Sequence, residues 1–166
     1  MVNSEEHVQT EGVQALVMIS KEILKAEEAK PLVLDIIHLI LCKEDVSEGA
    51  RIACLLIIQR FAEEQIFKKE ESMLFINNFL GKFKKGMLFK MKKFLLPTLI
   101  AISPFLDYDM FVKEVFSLFW EFTEDEIWGV RKVCVELTLP MIKLIKDSDL
   151  ERLKLCINFI EKSLND

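Results

Sequence analysis

Equivalent residues recur every 40 positions along this chain. Leu39, Phe79, Phe119 and Phe159 form one apolar column, and Ile40, Leu80, Trp120 and Ile160 form a second. Ile36, Ile76, Phe116 and Cys156 form a third. Cys54, Phe94 and Cys134 keep the same spacing, as do Arg51, Met91 and Arg131. A period of this length, with two apolar helical segments in each unit, predicts stacked helix pairs. One pair cannot bury its apolar face alone, so the next pair must supply the missing neighbour.

The segments between breakers predict about eight helices, all α, in one domain spanning residues 1–166. The expected architecture is an α-solenoid of HEAT or armadillo type, coiled into a right-handed superhelix. Repeat units fall at about 30–66, 69–106 and 109–146, with single flanking helices at about 6–26 and 149–164. In the first segment Val13, Leu16, Val17, Ile23 and Leu24 keep three- and four-residue spacing. Pro31 suits a first helical turn, where its missing N–H would be unpaired anyway. Ser47 is an expected N-cap, and Asp147, Ser148 or Asp149 can cap the last helix. Pro97 and Pro140 fall inside expected helices, where each removes one hydrogen bond and favours a kink. Gly81 and Gly86 bracket an expected turn.

Composition narrows the function. Of the 166 residues 51% are hydrophobic and only five are Gly and four Pro, which argues for a helical core and against disorder. A net charge of −5 argues against a nucleic-acid protein. The cluster Lys82, Lys84, Lys85, Lys90, Lys92 and Lys93 reads as a solvated edge or a contact for an acidic surface. The longest uncharged stretch, Phe94 to Leu106, is 13 residues, against the roughly 20 that a membrane-spanning helix needs. Cys42, Cys54, Cys134 and Cys156 show no C-x-x-C pairing, so free thiols in the cytoplasm or nucleus are expected. His7 and His38 are the only histidines and lie far apart, so neither a metal site nor any cofactor is expected. Asp35 and His38 are read as a partly buried hydrogen-bonding pair. There is no phosphate loop, no H-E-x-x-H and no supported Cys–His pairing, so catalysis is not expected.

The loops inside the repeats carry the more specific signals. Asp45 precedes Arg51 by six residues, and Asp125 precedes Arg131 by six, while Lys85 and Met91 hold these places in the middle unit. An Asp in the loop and an Arg in the next helical turn are expected to form a loop ladder, with the carboxylate also favoured at the helix start. Trp128 stands beside Gly129 at a helix start among charges, where a core role is less natural than for Trp120. Exposed Trp and Arg are the residue types most often found at interface hot spots.

The string Trp128-Gly129-Val130-Arg131-Lys132-Val133-Cys134-Val135-Glu136 resembles a loop and helix start of the HEAT repeats in the protein phosphatase 4 regulatory subunit 1 family. It is similar, less closely, to repeats of the scaffolding A subunit of protein phosphatase 2A. The middle unit departs from this pattern, with Lys90-Met91-Lys92 in place of V-R-K. The resemblance implies a non-catalytic regulatory or scaffold protein, whose loops form a ridge gripping a serine/threonine phosphatase catalytic subunit. Carried onto this chain, the partner-binding residues are Trp128, Arg131 and Lys132, with Glu126 beside them. The alternative is a HEAT-type adaptor in another assembly, associated with transport, ribosomes or chromatin. No nucleic-acid, membrane or homo-oligomeric partner is expected.

Overall fold

The computed structural model describes residue 18 and residues 29–43, 45–80 and 87–165. Apart from Met18, the helix expected at 6–26 lies outside the described residues, as do Glu44 and the turn at 81–86 with three of the six clustered lysines. Every regular element among the described residues is helical. The helices are α1 (Ala29–Cys42), α2 (Glu48–Glu63), α3 (Lys69–Phe75, continued by a π-helical turn Ile76–Leu80) and α4 (Phe89–Ile102). Then come α5 (Tyr108–Met110, Phe111–Phe116 as π turns, Ser117–Thr123), α6 (Trp128–Leu144) and α7 (Leu150–Asn165). The chain divides into two compact units, Met1–Lys85 and Gly86–Asp166.

In the first unit α1 packs on α2. Ile37, Leu41, Leu55, Ile58, Phe61, Phe67 and Phe75 are buried there. Phe61 and Phe67 meet edge to face at 5.9 Å. Ser47 caps α2 as expected, its Oγ accepting from the Ala50 N–H at 3.3 Å. At the other end Gln65 adopts a positive φ of 57°, which lets the Ile66 N–H reach the Phe61 carbonyl at 2.8 Å and closes the helix. The repeat columns fail in α1. Ile36 and Leu39 are 51% and 65% exposed, and Ile37 and Leu41 are buried instead. A helix that is apolar on most sides does not fix by composition which side turns inward.

In the second unit α6 packs against α4, α5 and α7. Helices α4 and α6 form one layer. The other is α5 beside α7, joined where the Phe159 ring meets Phe119 and Trp120 edge-on at 6.4 Å. Here the columns hold: Phe116, Phe119, Cys156 and Phe159 are all buried. Trp120 stacks on Phe116, as a packing residue should. Two buried threonines one period apart repeat the same local bond. Thr98 donates to the Phe94 carbonyl at 2.9 Å and Thr138 to that of Cys134 at 2.7 Å. Helices α4 and α6 both continue through their prolines.

Candidate functional site

The loop from Glu124 to Ile127 joins α5 to α6 and is fixed from several sides. Asp125 Oδ1 accepts the Ile127 N–H at 2.9 Å, and Oδ2 pairs with Lys92 of α4. Arg131, in the first turn of α6, donates to the carbonyls of Asp125 at 2.7 Å and Glu126 at 3.0 Å. Lys92 also lies over the Phe122 ring, 5.3 Å from its centroid. The Asp125 side chain is only 8% exposed, and this burial works to raise its carboxyl. Hydrogen bonds from Lys92 and Ile127, with the charges of Lys92 and Arg131, outweigh burial and hold it below the usual carboxylate range.

Trp128 leaves this clamped loop as the first residue of α6 and is 66% exposed. Lys132, one turn on, sits over its ring at 5.5 Å. Glu126, Trp128, Arg131 and Lys132 border one open groove of about 790 Å³, closed on the far side by Phe159 and Lys162 of α7. The structure thus brings together all four residues that the sequence nominated for partner contact. The groove rim carries both signs of charge, with Lys162 standing 3.8 Å from Glu124 and Lys132 3.8 Å from Glu136.

The loop ladder has different partners from those expected. Arg51 donates to the Lys43 carbonyl at 2.8 Å, and Asp45 is exposed. Arg51 and Arg131 therefore share one task, holding a loop by its backbone. The carboxylate of Asp125 turns instead to Lys92. Sequence reasoning placed Lys92 in a basic run and in the Lys90-Met91-Lys92 string of the middle unit, without a partner for its charge. Its position one residue after Met91, in register with Ile52 and Lys132, is the signal that marks it as part of a repeat.

A second polar cluster secures the α6–α7 turn. Tyr108 donates to Asp149 at 2.7 Å and accepts the Lys146 N–H at 3.4 Å, while Arg152 pairs with Asp149. The Tyr108 hydrogen bond, with the hydrogen bonds and charge of Arg152, holds the Asp149 carboxyl low against the opposing effect of desolvation. Burial and Asp149 push the Tyr108 hydroxyl up. Asp149 also caps α7, receiving the Arg152 N–H at 3.4 Å. These contacts hold a turn, and Arg152 also borders an open pocket with Glu151, Phe116 and Trp120.

Elsewhere the candidate chemistry disperses. Asp35 and His38 are both exposed, which corrects the expectation of a partly buried pair, and His38 lies 3.8 Å from Cys42 Sγ. All four cysteines are free thiols, and burial pushes Cys54 and Cys156 up to about 11 and Cys134 to about 12. Among the described residues no three His, Cys, Asp or Glu side chains gather as metal ligands, and no helix is long and apolar enough to cross a membrane.

Comparison with known proteins returns no matching family model, no matching curated protein and no matching solved structure.

Proposed function

We propose that this chain is a HEAT-type solenoid segment acting as a non-catalytic regulatory or scaffold protein. It would hold a serine/threonine phosphatase catalytic subunit, of the phosphatase 4 or 2A type, through its intra-repeat loops. The observation that carries this reading is Trp128, two-thirds exposed on a loop that Arg131 and Lys92 hold still. A large aromatic side chain offered on an already ordered loop binds with little further loss of conformational freedom. The W-G-V-R-K string supplies the identity of the partner, and the grouping of Glu126, Trp128, Arg131 and Lys132 around one groove supplies the surface. The free thiols accord with a cytoplasmic or nuclear setting. The mechanism is positional: the ridge holds the catalytic partner and limits which substrates reach it.

The test is quantitative binding of the chain to a panel of such catalytic subunits, with Trp128→Ala as the informative variant. Loss of a hot-spot Trp costs about 2 kcal/mol or more, roughly a 30-fold weakening. Arg131→Glu is less clean, because Arg131 also fixes the loop. No binding to any member at micromolar concentration removes this reading.

A second reading, an adaptor in another assembly, draws on a different surface. Leu88 and Phe89 are 63% and 39% exposed at the start of α4, beside exposed Lys90 and Lys93. A partner whose binding falls with Lys90→Glu and Lys93→Glu, and not with Trp128→Ala, favours that alternative.

A further inference from the structure

The outward side of α6 exposes a stripe that its internal copy buries. Val135 and Leu139 are 40% and 61% exposed. One period earlier the same positions in α4 are Leu95 and Leu99, both fully buried, and α4 packs against α6. Helix α6 turns Val130, Cys134 and Met141 inward. Residues 95 and 99 thus belong to a helix-docking face, and the α6 version of that face is open among the described residues.

Helix α7 carries other residues at the positions that α5 buries, although it too exposes Leu150, Ile157 and Leu164. Phe111, Leu118 and Phe122 are buried in α5, and one period later stand Glu151, Asn158 and Lys162, all exposed. Those positions have become polar. On α6 the face that is open among the described residues keeps Val135 and Leu139 apolar, beside the exposed pair Lys132 and Glu136.

The order of residues along the stripe indicates which occupant. Trp128, Lys132, Val135, Glu136 and Leu139 share the outer side of α6, because three- and four-residue steps return to one face. A second α6, set antiparallel about a two-fold axis beside Cys134 and Val135, places Trp128 against Leu139 of the other copy. The same axis sets Lys132 against Glu136 and brings the two Val135 side chains together. The midpoints of these pairs fall between residues 133 and 135, within about one residue of a common axis, as an isologous interface requires. Within one chain Lys132 and Glu136 are exposed and 3.8 Å apart, so the pair can be exchanged across the axis.

The geometry points to a second copy of this chain as the occupant of the α6 face. This departs from the monomer expected from sequence and does not rest on the phosphatase reading, although pairing would cover Trp128 and so compete with any partner that uses it. A face along one 17-residue helix is about 25 Å long and lies at the small end of specific interfaces. A reversible dimer dissociating on the order of 10–100 µM is expected.

Sedimentation of the full chain over a range from about 1 to 300 µM tests this. The average mass should climb from the 19.3 kDa monomer toward twice that value, and Leu139→Lys should abolish the rise while leaving the circular dichroism and melting curve unchanged. The decisive arm uses charge reversal. Lys132→Glu and Glu136→Lys should each self-associate about tenfold more weakly, since like charges then meet across the axis. An equimolar mixture of the two should recover the wild-type affinity, because both cross-axis pairs become opposite again. A chain that stays monomeric throughout, or reversal variants that mix no better than they self-associate, overturns the proposal.

Discussion

Replacing Lys92 by Met removes the cation from a pair whose carboxylate, Asp125, is only 8% exposed. Met keeps most of the stem that lies over Phe122, so the change isolates the charge. An exposed ion pair contributes about 0–1 kcal/mol, and breaking a fully buried one costs about 3–5 kcal/mol. This pair lies between, with Lys92 24% exposed, and Asp125 keeps the Ile127 N–H after the substitution. Lys92→Met should therefore destabilise by about 2 kcal/mol, lowering the urea midpoint by about 1 M at unchanged m. A double-mutant cycle with Asp125→Asn should show a coupling of about 1–1.5 kcal/mol at neutral pH. The folded Asp125 carboxyl lies below its ordinary value of 3.8. Its contribution is thus present in full above that pH and is lost as pH falls through the lower folded value. The coupling should accordingly vanish in strong acid. A loss under about 0.5 kcal/mol, or strict additivity at neutral pH, would refute the view that this pair ties α4 to the loop.

Phe119 is fully buried between α5 and α7, and Phe119→Ala should cost about 3–5 kcal/mol by denaturant titration through the cavity it leaves. Trp128→Ala, at a position two-thirds exposed, should change stability by no more than about 0.5 kcal/mol, so that any binding defect reports the surface and not the fold. A thiol reagent at pH 8 should label Cys42 quickly and Cys54, Cys134 and Cys156 only on unfolding, since the last three are buried with pKa values of about 11, 12 and 11. Gln65→Gly should raise the melting midpoint, with a gain of about 0.5–1 kcal/mol, because a left-handed helix-terminating residue is strained with any side chain.

Helix ends were legible where local chemistry bounds them. Ser47 and Asp149 cap, and the prolines sit within runs apolar enough to remain helical regardless. The apolar columns were legible where helices of the same kind meet, as at Phe116, Phe119 and Phe159. They misled in α1, where Ile36 and Ile37 are equally apolar and only packing against α2 selects Ile37. The π-helical turns at Ile76–Leu80 and Phe111–Phe116 left no mark in the spacing, since one extra residue per turn shifts the register without changing composition. The outward stripe on α6 was also invisible, because a pattern of apolar residues does not say which of two apolar sides a neighbour covers.

At the loop, the spacing identified the right arginines and the wrong acceptors. A carboxylate six residues before an arginine invites a side-chain pairing. A loop entering a helix also presents carbonyls that no helical N–H satisfies, and a guanidinium with five donors reaches those first. Arg131 spends Nη1 on the Asp125 and Glu126 carbonyls, and Arg51 turns its Nη2 to the Lys43 carbonyl. Asp125 is then left to find another cation, and the middle unit provides it. There the arginine position is taken by Met91, which is buried, and the next residue, Lys92, reaches forward to the following loop. The unit that looked like a break in the ladder therefore supplies its one buried rung among the described residues. Trp128 is held out to solvent at the end of that connection, which runs from α4 through Asp125 to the first turn of α6.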